Sequence, residues 1–244
     1  MSLSTTLATT ARVLGQLRRD RRTLAMVFLV PPILLTLFKY IFDNQPQTFD
    51  RVGAPMIGLF PLIMMFLITS IAMLRERTTG TLERLMSLPL AKLDLLLGYG
   101  LAFALLAALQ GGITGAVGFW ALGVKAAGPA WAVVLLAIAN ALLGMSLGLF
   151  FSAFAGTEFQ AVQFMPAVLL PQLLLSGLLI PRAHMPHALE VISDALPVTY
   201  AFDALAKVTS DSTGAWLWLD IVIVAGSVVL ALVLGATTLR RRTA

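Results

Sequence analysis

Long apolar runs alternate with short polar segments along the whole chain. Each run has about 20 residues or more, the length an α-helix needs to cross a hydrocarbon core about 30 Å thick. The pattern predicts an all-α integral membrane protein in which residues 1–244 form a single transmembrane domain. The six predicted transmembrane helices lie at about residues 23–42, 53–74, 93–122, 129–154, 159–180 and 216–239.

Two of these spans carry residues that interrupt regular helices. Thirty helical residues in the third span would measure about 45 Å, so we expect tilt or a break at Gly111 and Gly112. The fifth span contains Pro166 and Pro171, which predict kinks.

The first 22 residues predict an interfacial helix. Apolar side chains recur near helical spacing from Leu3 to Leu17, and the arginines from Arg18 to Arg22 follow them. Such a helix lies on a membrane surface, where its basic end meets anionic lipid. Its apolar positions are Leu3, Leu7, Ala11, Leu14 and Leu17.

Residues 75–90 gather five charged side chains between two apolar runs, so this segment cannot span the bilayer. It predicts a short amphipathic helix, with Gly80 as N-cap, Glu83 at the third helical position and Pro89 as its end. Such a short helix between two spans suits contact with another protein. Its single apolar face consists of Leu82, Leu85 and Met86.

A second polar segment, residues 181–207, separates the last two predicted spans. It is half apolar, and Pro197 divides it into pieces too short to cross a bilayer. We expect two short helices within 184–207, forming a re-entrant helical hairpin at the outer surface. The buried face of its first helix is predicted to carry Leu189, Ile192 and Leu196.

Composition and charge agree with this class. Apolar residues make up 59% of the chain and charged residues 12%, against roughly 45–50% and 25% in soluble domains. With the N-terminus in the cytoplasm, 12 of the 17 Lys and Arg residues lie on the cytoplasmic side, as membrane orientation requires. Both termini are therefore predicted to be cytoplasmic. The net charge of +5 comes from basic residues at the span ends, which orient the protein in the lipid bilayer, and does not indicate binding to nucleic acid. The chain has no cysteine, which excludes disulfides and thiolate metal sites.

Four motifs carry a family resemblance, and they occur in order along nearly the whole chain. The first, E-R-x-x-G-T-L-E-x-L-x-x-x-P, covers residues 76–89, and L-S-G-x-x-x-P follows at 175–181. The third motif is M-P at 185–186, and the fourth is L-P-V-T-Y at 196–200. With them, the sequence resembles ABC-2 type transporter permeases, most of all the drug-export and polysaccharide-export branches.

This resemblance implies two paired permeases, as a homodimer or a heterodimer, with two ATP-binding-cassette ATPase subunits. ATP and Mg would belong to the partner ATPase, and this chain, which is not itself an enzyme, would hold no cofactor. The sequence contains no G-x-x-x-x-G-K-[ST] phosphate loop. The most similar segment, residues 118–125, has Val124 between its second glycine and Lys125. The resemblance assigns ATPase coupling to Glu76, Arg77, Gly80, Thr81, Leu82, Glu83, Arg84, Leu85, Met86 and Pro89.

The resemblance also favours the second and fifth spans as the substrate pathway between the permeases. The implied substrate is an amphiphilic drug-like or lipid-linked molecule that leaves the cytoplasm across a prokaryotic plasma membrane, as in antibiotic efflux. The candidate pathway residues, which would serve equally well in packing, are Phe60, Met64, Met65, Gln163, Phe164, Met165 and Gln172. Uncharged polar groups at membrane depth, which are expected to hydrogen-bond between helices, are Gln110, Asn140, Gln160, Gln163 and Gln172.

Two other classes of function remain as alternatives. An ion-coupled secondary transporter would place ionisable residues midway through its spans, whereas Glu158 and Asp220 are expected near span ends within reach of water. An intramembrane enzyme would need a paired nucleophile and base, and no G-x-S-x-G motif is present. The group His184, His187, Glu190 and Asp194 fits the wet side of an outer helix better than a metal site, and we predict no metal.

Overall fold

The computed structural model describes residues 3–81, 84–85, 92–178, 180–210 and 217–238. This part of the chain is helical and contains no strand. The α-helices are α1 (Leu3–Arg19), α2 (Arg21–Ile41), α3 (Pro46–Thr78), α4 (Lys92–Ala116), α5 (Ala130–Phe151), α6 (Glu158–Leu175), α7 (His187–Asp194), α8 (Pro197–Thr209) and α9 (Leu217–Thr238).

Five helical segments of the described chain are long and apolar enough to cross a membrane. This agrees with the predicted all-α membrane class. The helix α6, at the predicted fifth span, is not among the five, because its 18 residues include Glu158, three glutamines and two prolines. The five segments are Arg21–Ile41, Val52–Thr78, Leu97–Ala121, Ala130–Phe154 and Leu217–Thr238.

The helices α3 and α5 form the centre of the protein and pack closely along their length. Gly144 and Gly148 of α5 face α3, and a Cβ at either position would overlap the carbonyl oxygen of Leu62 or of Phe66. Thr69 of α3 adds a hydrogen bond from its hydroxyl to the carbonyl of Met145 at 3.1 Å. The repeat of small residues in α5 therefore serves packing within one subunit.

Two apolar clusters lie on either side of this pair. The first is built on α3, α5 and α8, with Phe66, Leu143 and Leu205 among its fully buried members. The second joins α1, α3 and α4 around Met65, Tyr99 and Phe103. Since α3 contributes to both clusters, it links the N-terminal helices to the rest of the molecule.

The helix α1 packs on α4 with the side that holds Thr9, Thr10 and Val13. Gly98 permits this contact, because a Cβ there would lie only 2.5 Å from the Cβ of Thr9. The predicted apolar positions Leu3 and Leu7 remain exposed on α1. Leu14 and Leu17, two further predicted apolar positions, are partly buried against the second apolar cluster, so the protein-facing side of α1 mixes small polar and apolar side chains.

The third span is predicted to tilt or to break at Gly111 and Gly112, and the break does not occur there. The helix α4 continues through Gly111 and Gly112 to Ala116, and five residues of π-helix follow at Val117–Ala121. Gly111 lies against the backbone of Ile138 in α5, so packing holds this part of the helix regular. The irregular turn occurs where α4 leaves that contact.

The end of α3 differs from the predicted boundary at residue 74. The helix continues to Thr78, so Arg75, Glu76 and Arg77 belong to its last turn. Gly80 follows with φ of +69°, a left-handed conformation unlike the extended one of an ordinary N-cap. Its carbonyl nevertheless accepts the amide of Arg84 at 3.0 Å, which begins a helical turn.

The segment between α6 and α9 contains the helices α7 and α8, which are divided before Pro197. The predicted buried face of α7 is wrong, since Leu189 and Ile192 are exposed and Ser193 is buried. The Ser193 hydroxyl donates to the carbonyl of Leu175 at 2.8 Å and lies 3.1 Å from the hydroxyl of Thr199. Two hydrogen bonds thus fix the inner side of α7, and the apolar side chains face outward.

Candidate functional site

A polar cluster ties α1, α3 and α4 together at one end of the protein, which we call the Glu76 end. Arg12 of α1 forms an ion pair with Glu76 of α3 at 3.4 Å and donates to the hydroxyl of Tyr99 in α4. Thr10 adds a hydrogen bond to the carbonyl of Gly98 at 3.1 Å. These contacts join three helices at the start of the segment predicted to couple to an ATPase.

A second ion pair at the Glu76 end joins α3 to the start of α6. The guanidinium of Arg75 binds Glu158 through two bonds, from Nε at 2.7 Å and from Nη2 at 3.1 Å. Both side chains are about half exposed. Glu158 is the first residue of α6 and has a specific partner that the sequence does not indicate.

Asp20 is the residue between α1 and α2, and four arginines flank it in the two helices, Arg18, Arg19, Arg21 and Arg22. Asp20 caps α2 by accepting the backbone amide of Thr23 at 3.1 Å and its hydroxyl at 2.6 Å. These hydrogen bonds stabilise the carboxylate and hold the pKa of Asp20 below its ordinary value. Asp20 is not among the functional residues predicted from the sequence, although an Asp directly before a helical run is a recognised capping signal.

Four of the predicted coupling residues, Leu82, Glu83, Met86 and Pro89, lie outside the described residues. Of the others, Glu76 is held by Arg12, and Arg84 is exposed. Leu85 packs against the second apolar cluster of its own chain. The remaining members, Arg77, Gly80 and Thr81, lie partly exposed beside this end of α3.

The structure does not bring the predicted pathway residues onto one surface. Phe60 belongs to the first apolar cluster, whereas Met65 is fully buried in the second. Phe164 and Met165 pack against the first cluster, with the Phe164 ring 5.9 Å from that of Phe151. Of the other three, Gln172 is buried, Met64 is partly exposed and Gln163 is exposed.

Among the polar residues at membrane depth, Gln110 makes the predicted contact between helices. Its amide donates to the carbonyl of Val27 in α2 at 3.1 Å. Gln172 donates to Val168 of its own helix, and Gln160 accepts the amide of the nearby Gly156. Asn140 is buried, and neither of its side-chain polar atoms has a partner within the described part of the chain.

The Glu76 end also holds a groove with a volume of about 650 Å³ between α1, α2, α3 and α4. One part of its wall is polar and includes Asp20, Arg75 and Glu76. The remaining wall is apolar, as in many small-molecule sites. Its apolar residues include Met26, Met64, Leu67, Ile68, Ile71 and Phe103.

The opposite end, which we call the Lys207 end, holds a network of ion pairs. Arg182 binds Asp203 of α8 at 2.9 Å and also binds Asp194 of α7. Lys207 of α8 binds Asp220 in the first turn of α9 at 2.5 Å. Burial raises the pKa of Asp203, although the charge of Arg182 opposes this shift.

Asp220 is predicted from the sequence to lie within reach of water, but in the structure it is buried. Its residue exposure is only 3%, because α8 covers the start of α9 and supplies Lys207. A shallow pocket of about 420 Å³ lies near this end, lined in part by Lys125, Ser176 and Asp203. Gly177, with φ of +87°, turns the chain from α6 into this wall.

The described residues contain no cluster of three or more His, Asp or Glu side chains that would hold a metal ion. The segment that contains both histidines offers one contact of this kind, from His187 to Glu190 at 3.7 Å. One such pair provides fewer ligands than a zinc site requires.

Five apolar helices and polar clusters confined to two ends define a multi-pass α-helical membrane protein. The family described as ABC-2 type transporter matches residues 5–209, which is most of the chain. The chain therefore belongs to the ABC-2 type transporter family, as its motifs indicated, and forms the membrane part of an ABC transporter.

Two relatives illustrate this likeness. ABC transporter G family member 20 of Dictyostelium discoideum is 25% identical over 180 residues, covering 73% of this chain and 25% of the relative. The probable multidrug ABC transporter permease YbhR of Escherichia coli K12 is 30% identical over 109 residues, covering 43% of this chain and 29% of the relative. The chain thus spans about a quarter of the length of the curated relatives it matches.

Proposed function

We propose that this chain is the permease of an ATP-driven exporter that moves an amphiphilic drug-like or lipid-linked molecule out of the cytoplasm. The family match over residues 5–209 carries the proposal, because it includes both the groove and the segment that resembles an ATPase-coupling loop. A relative named as a probable multidrug permease supports the substrate class. ATP and Mg would bind to partner ATPase subunits, two per pair of permeases.

In this proposal the chain crosses the membrane six times, with α6 as the fifth crossing. Contacts at both ends of α6 support this topology. Its first residue, Glu158, binds Arg75 at the Glu76 end, and its last residue, Leu175, accepts the Ser193 hydroxyl near the Lys207 end. The helix thus runs from the Glu76 end toward the Lys207 end, opposite in direction to α3.

The Glu76 end would face the cytoplasm of a prokaryotic cell, and both termini would lie on that side. The predominance of Lys and Arg in the segments at this end supports the orientation. The helices α7 and α8 would then form the outer re-entrant hairpin. Arg182 would join its two helices through Asp194 and Asp203. The pair of Lys207 and Asp220 would fix the hairpin against the last span.

Coupling to the ATPase would run through residues 76–89. The contacts of Arg12 with Glu76 and Tyr99 support this role, because they connect the start of the coupling segment to α1, α3 and α4. A push on the segment would therefore move three helices together. Glu83 and Arg84 would meet charges of opposite sign on the ATPase, as the resemblance implies.

A second permease, identical or different, would complete the transport pathway. Met64 and Gln163 are better placed to contact substrate than Phe60 or Met65, since the latter two are buried within their own subunit. We therefore expect substitutions at Met64 and Gln163 to change substrate preference. Substitutions at Phe60 and Met65 would act mainly on folding.

The alternative is an ion-coupled secondary transporter, and the buried position of Asp220 is the observation that favours it. A buried carboxylate inside a membrane helix is a common feature of proton relays. Here, however, Asp220 lies in the first turn of α9 and is paired with Lys207. This arrangement suits a structural ion pair at the membrane surface better than a relay across it.

Purification of the tagged chain from its native host in mild detergent tests the proposal. We expect an ATPase to co-purify and to support ATP-dependent transport in liposomes. Glu83→Lys should abolish both, whereas Glu190→Lys, the same change on the outer helix α7, should leave both intact. Transport by the chain without a nucleotidase, driven by a proton gradient and lost in Asp220→Asn, would instead establish the alternative.

A further inference from the structure

Two adjacent prolines, Pro31 and Pro32, lie in the middle of α2. In an α-helix the amide of each residue donates to the carbonyl four positions earlier, and proline has no amide hydrogen to donate. The carbonyls of Val27 and Phe28 therefore lack their intrahelical donors. A carbonyl that is freed in this way inside a membrane helix needs another partner, because the hydrocarbon core offers no water.

Gln110 of α4 supplies the partner for one of these carbonyls. Its side-chain amide donates to the carbonyl of Val27 at 3.1 Å, and both residues are fully buried. Pro31 is buried as well. The bond therefore fastens α2 to α4 at a point where α2 lacks a hydrogen bond of its own.

The two prolines also divide α2 by its packing. Before them, Val27 is buried in the second apolar cluster, and Phe28 packs against the same cluster. After them, Leu35 is buried in the first apolar cluster, and Phe38 packs against it with its ring 6.0 Å from that of Phe60. The prolines thus lie where α2 passes from one cluster to the other.

We propose that Pro31 and Pro32 form a hinge in α2, and that Gln110 positions the half of the helix before the hinge by holding it to α4. Missing backbone bonds at proline are a usual cause of bending in long helices. Residues 21–30 would then move with α1 and α4, whereas residues 33–41 would stay with the first apolar cluster. The proposal deepens the proposed function and rests on it only in linking this movement to ATP-driven transport.

Unfolding of single and double variants in detergent tests the link between Gln110 and Pro31. Gln110→Leu should raise the unfolding equilibrium constant about fivefold, the size expected for one lost hydrogen bond. In the Pro31→Ala background, the new amide bonds the carbonyl of Val27 within the helix, so Gln110→Leu should have little effect. In the Pro32→Ala background, which restores the donor for Phe28 instead, the full effect should remain. Equal effects of Gln110→Leu in all three backgrounds would overturn the proposal.

Spin labels on the full chain in nanodiscs test whether Gln110 holds the first half of α2 in place. The chain has no cysteine, so introduced cysteines are the only labelled sites. Met26→Cys with Leu105→Cys reports the distance between α2 before the hinge and α4, and Leu37→Cys with Leu135→Cys reports the distance between α2 after the hinge and α5. All four positions are exposed.

The two cysteine pairs should respond differently to Gln110→Leu. We expect a broader distance distribution for the pair before the hinge and an unchanged one for the pair after it. An unchanged distribution before the hinge would overturn the proposal. Equal broadening of both pairs would also overturn it, because a general loss of packing would then explain the result.

A variant without the hinge tests its part in transport. Pro31→Ala combined with Pro32→Ala restores both backbone donors and leaves Gln110 in place. Alanine favours a helix more than proline does, so this double variant should stay folded and still co-purify with the ATPase. We expect ATP-driven transport to slow several-fold, and transport at the wild-type rate would overturn the proposal.

Failure of this proposal and failure of the proposed function give different results. The spin-label distances need no ATPase, so the expected broadening in Gln110→Leu, without ATP-driven transport by the wild type, would reject the exporter and retain the hinge. ATP-driven transport that the double variant of Pro31 and Pro32 leaves unchanged would retain the exporter and reject the hinge.

Discussion

Arg75 and Glu158 form a two-bond ion pair, with distances of 2.7 Å and 3.1 Å, that joins the end of α3 to the start of α6. The two residues are 83 positions apart in the sequence. The pair places the first residue of α6 beside the last turn of α3.

This pair should contribute little to stability, because both side chains are about half exposed. We expect a coupling energy of about 0.5 kcal/mol, as for other exposed ion pairs. A double-mutant cycle with Arg75→Gln and Glu158→Gln, followed by unfolding in detergent at low and high salt, measures it. A coupling above 2 kcal/mol, or one that salt does not reduce, would contradict the assignment of this pair to the water-exposed surface.

Asp20 should make the stability of the N-terminal helices depend on pH. Its pKa is lowered in the folded protein by the hydrogen bonds from Thr23, so its ionised form stabilises the fold at neutral pH. This contribution is present above the unfolded-state pKa of about 4 and is lost as pH falls through the lower folded-state pKa. Thermal unfolding midpoints measured between neutral and acidic pH should therefore fall more for the wild type than for Asp20→Asn.

Asp20→Ala supplies the control for the cap itself. Loss of an N-cap costs about 1 kcal/mol, so this variant should be less stable than Asp20→Asn at neutral pH. Equal stability of the two variants at neutral pH would show that Asp20 does not cap α2.

Gly144 should not tolerate a side chain. A Cβ at this position would overlap the Leu62 backbone of α3, and backbone cannot yield as a flexible side chain does. We expect Gly144→Ala to lower the unfolding free energy by about 2 kcal/mol, within the range for overpacked cores. Gly112→Ala is the matched control, since nothing lies within 4 Å of its Cβ position, and a comparable loss there would refute this explanation.

Asn140 and Gln110 should respond in opposite ways to replacement by leucine. Gln110 donates a hydrogen bond to Val27, and its loss in Gln110→Leu should cost about 1 kcal/mol. Asn140 is buried with no partner among the described residues, so removing its amide should be neutral or stabilising. Unfolding in detergent compares the two variants, and a larger loss for Asn140→Leu would mean that this amide has a partner such as a bound water.

The pair Lys207 and Asp220 should show strong coupling at the Lys207 end. Asp220→Leu alone leaves the charge of Lys207 partly buried, and we expect a loss of about 2–3 kcal/mol. Adding Lys207→Met should restore part of that loss, because no uncompensated charge then remains. Additive losses in the double variant would contradict the ion pair.

The sequence by itself determined the membrane class and most helix positions. Apolar runs of about 20 residues have few other stable states, because each exposed backbone group in hydrocarbon costs several kcal/mol. The motifs around Gly80 and Gly177 likewise determined the family before any contact was known. Both glycines have positive φ, which few other residues adopt readily.

Only the tertiary structure decided which side chains meet. Arg12 with Glu76, Arg75 with Glu158 and Lys207 with Asp220 join helices that are distant in the chain. Periodicity gives the faces of one helix but not the rotation or depth at which two helices pack. For the same reason the burial of Met65, the position of the π-helical turn and the groove beside Asp20 follow from packing against neighbouring helices.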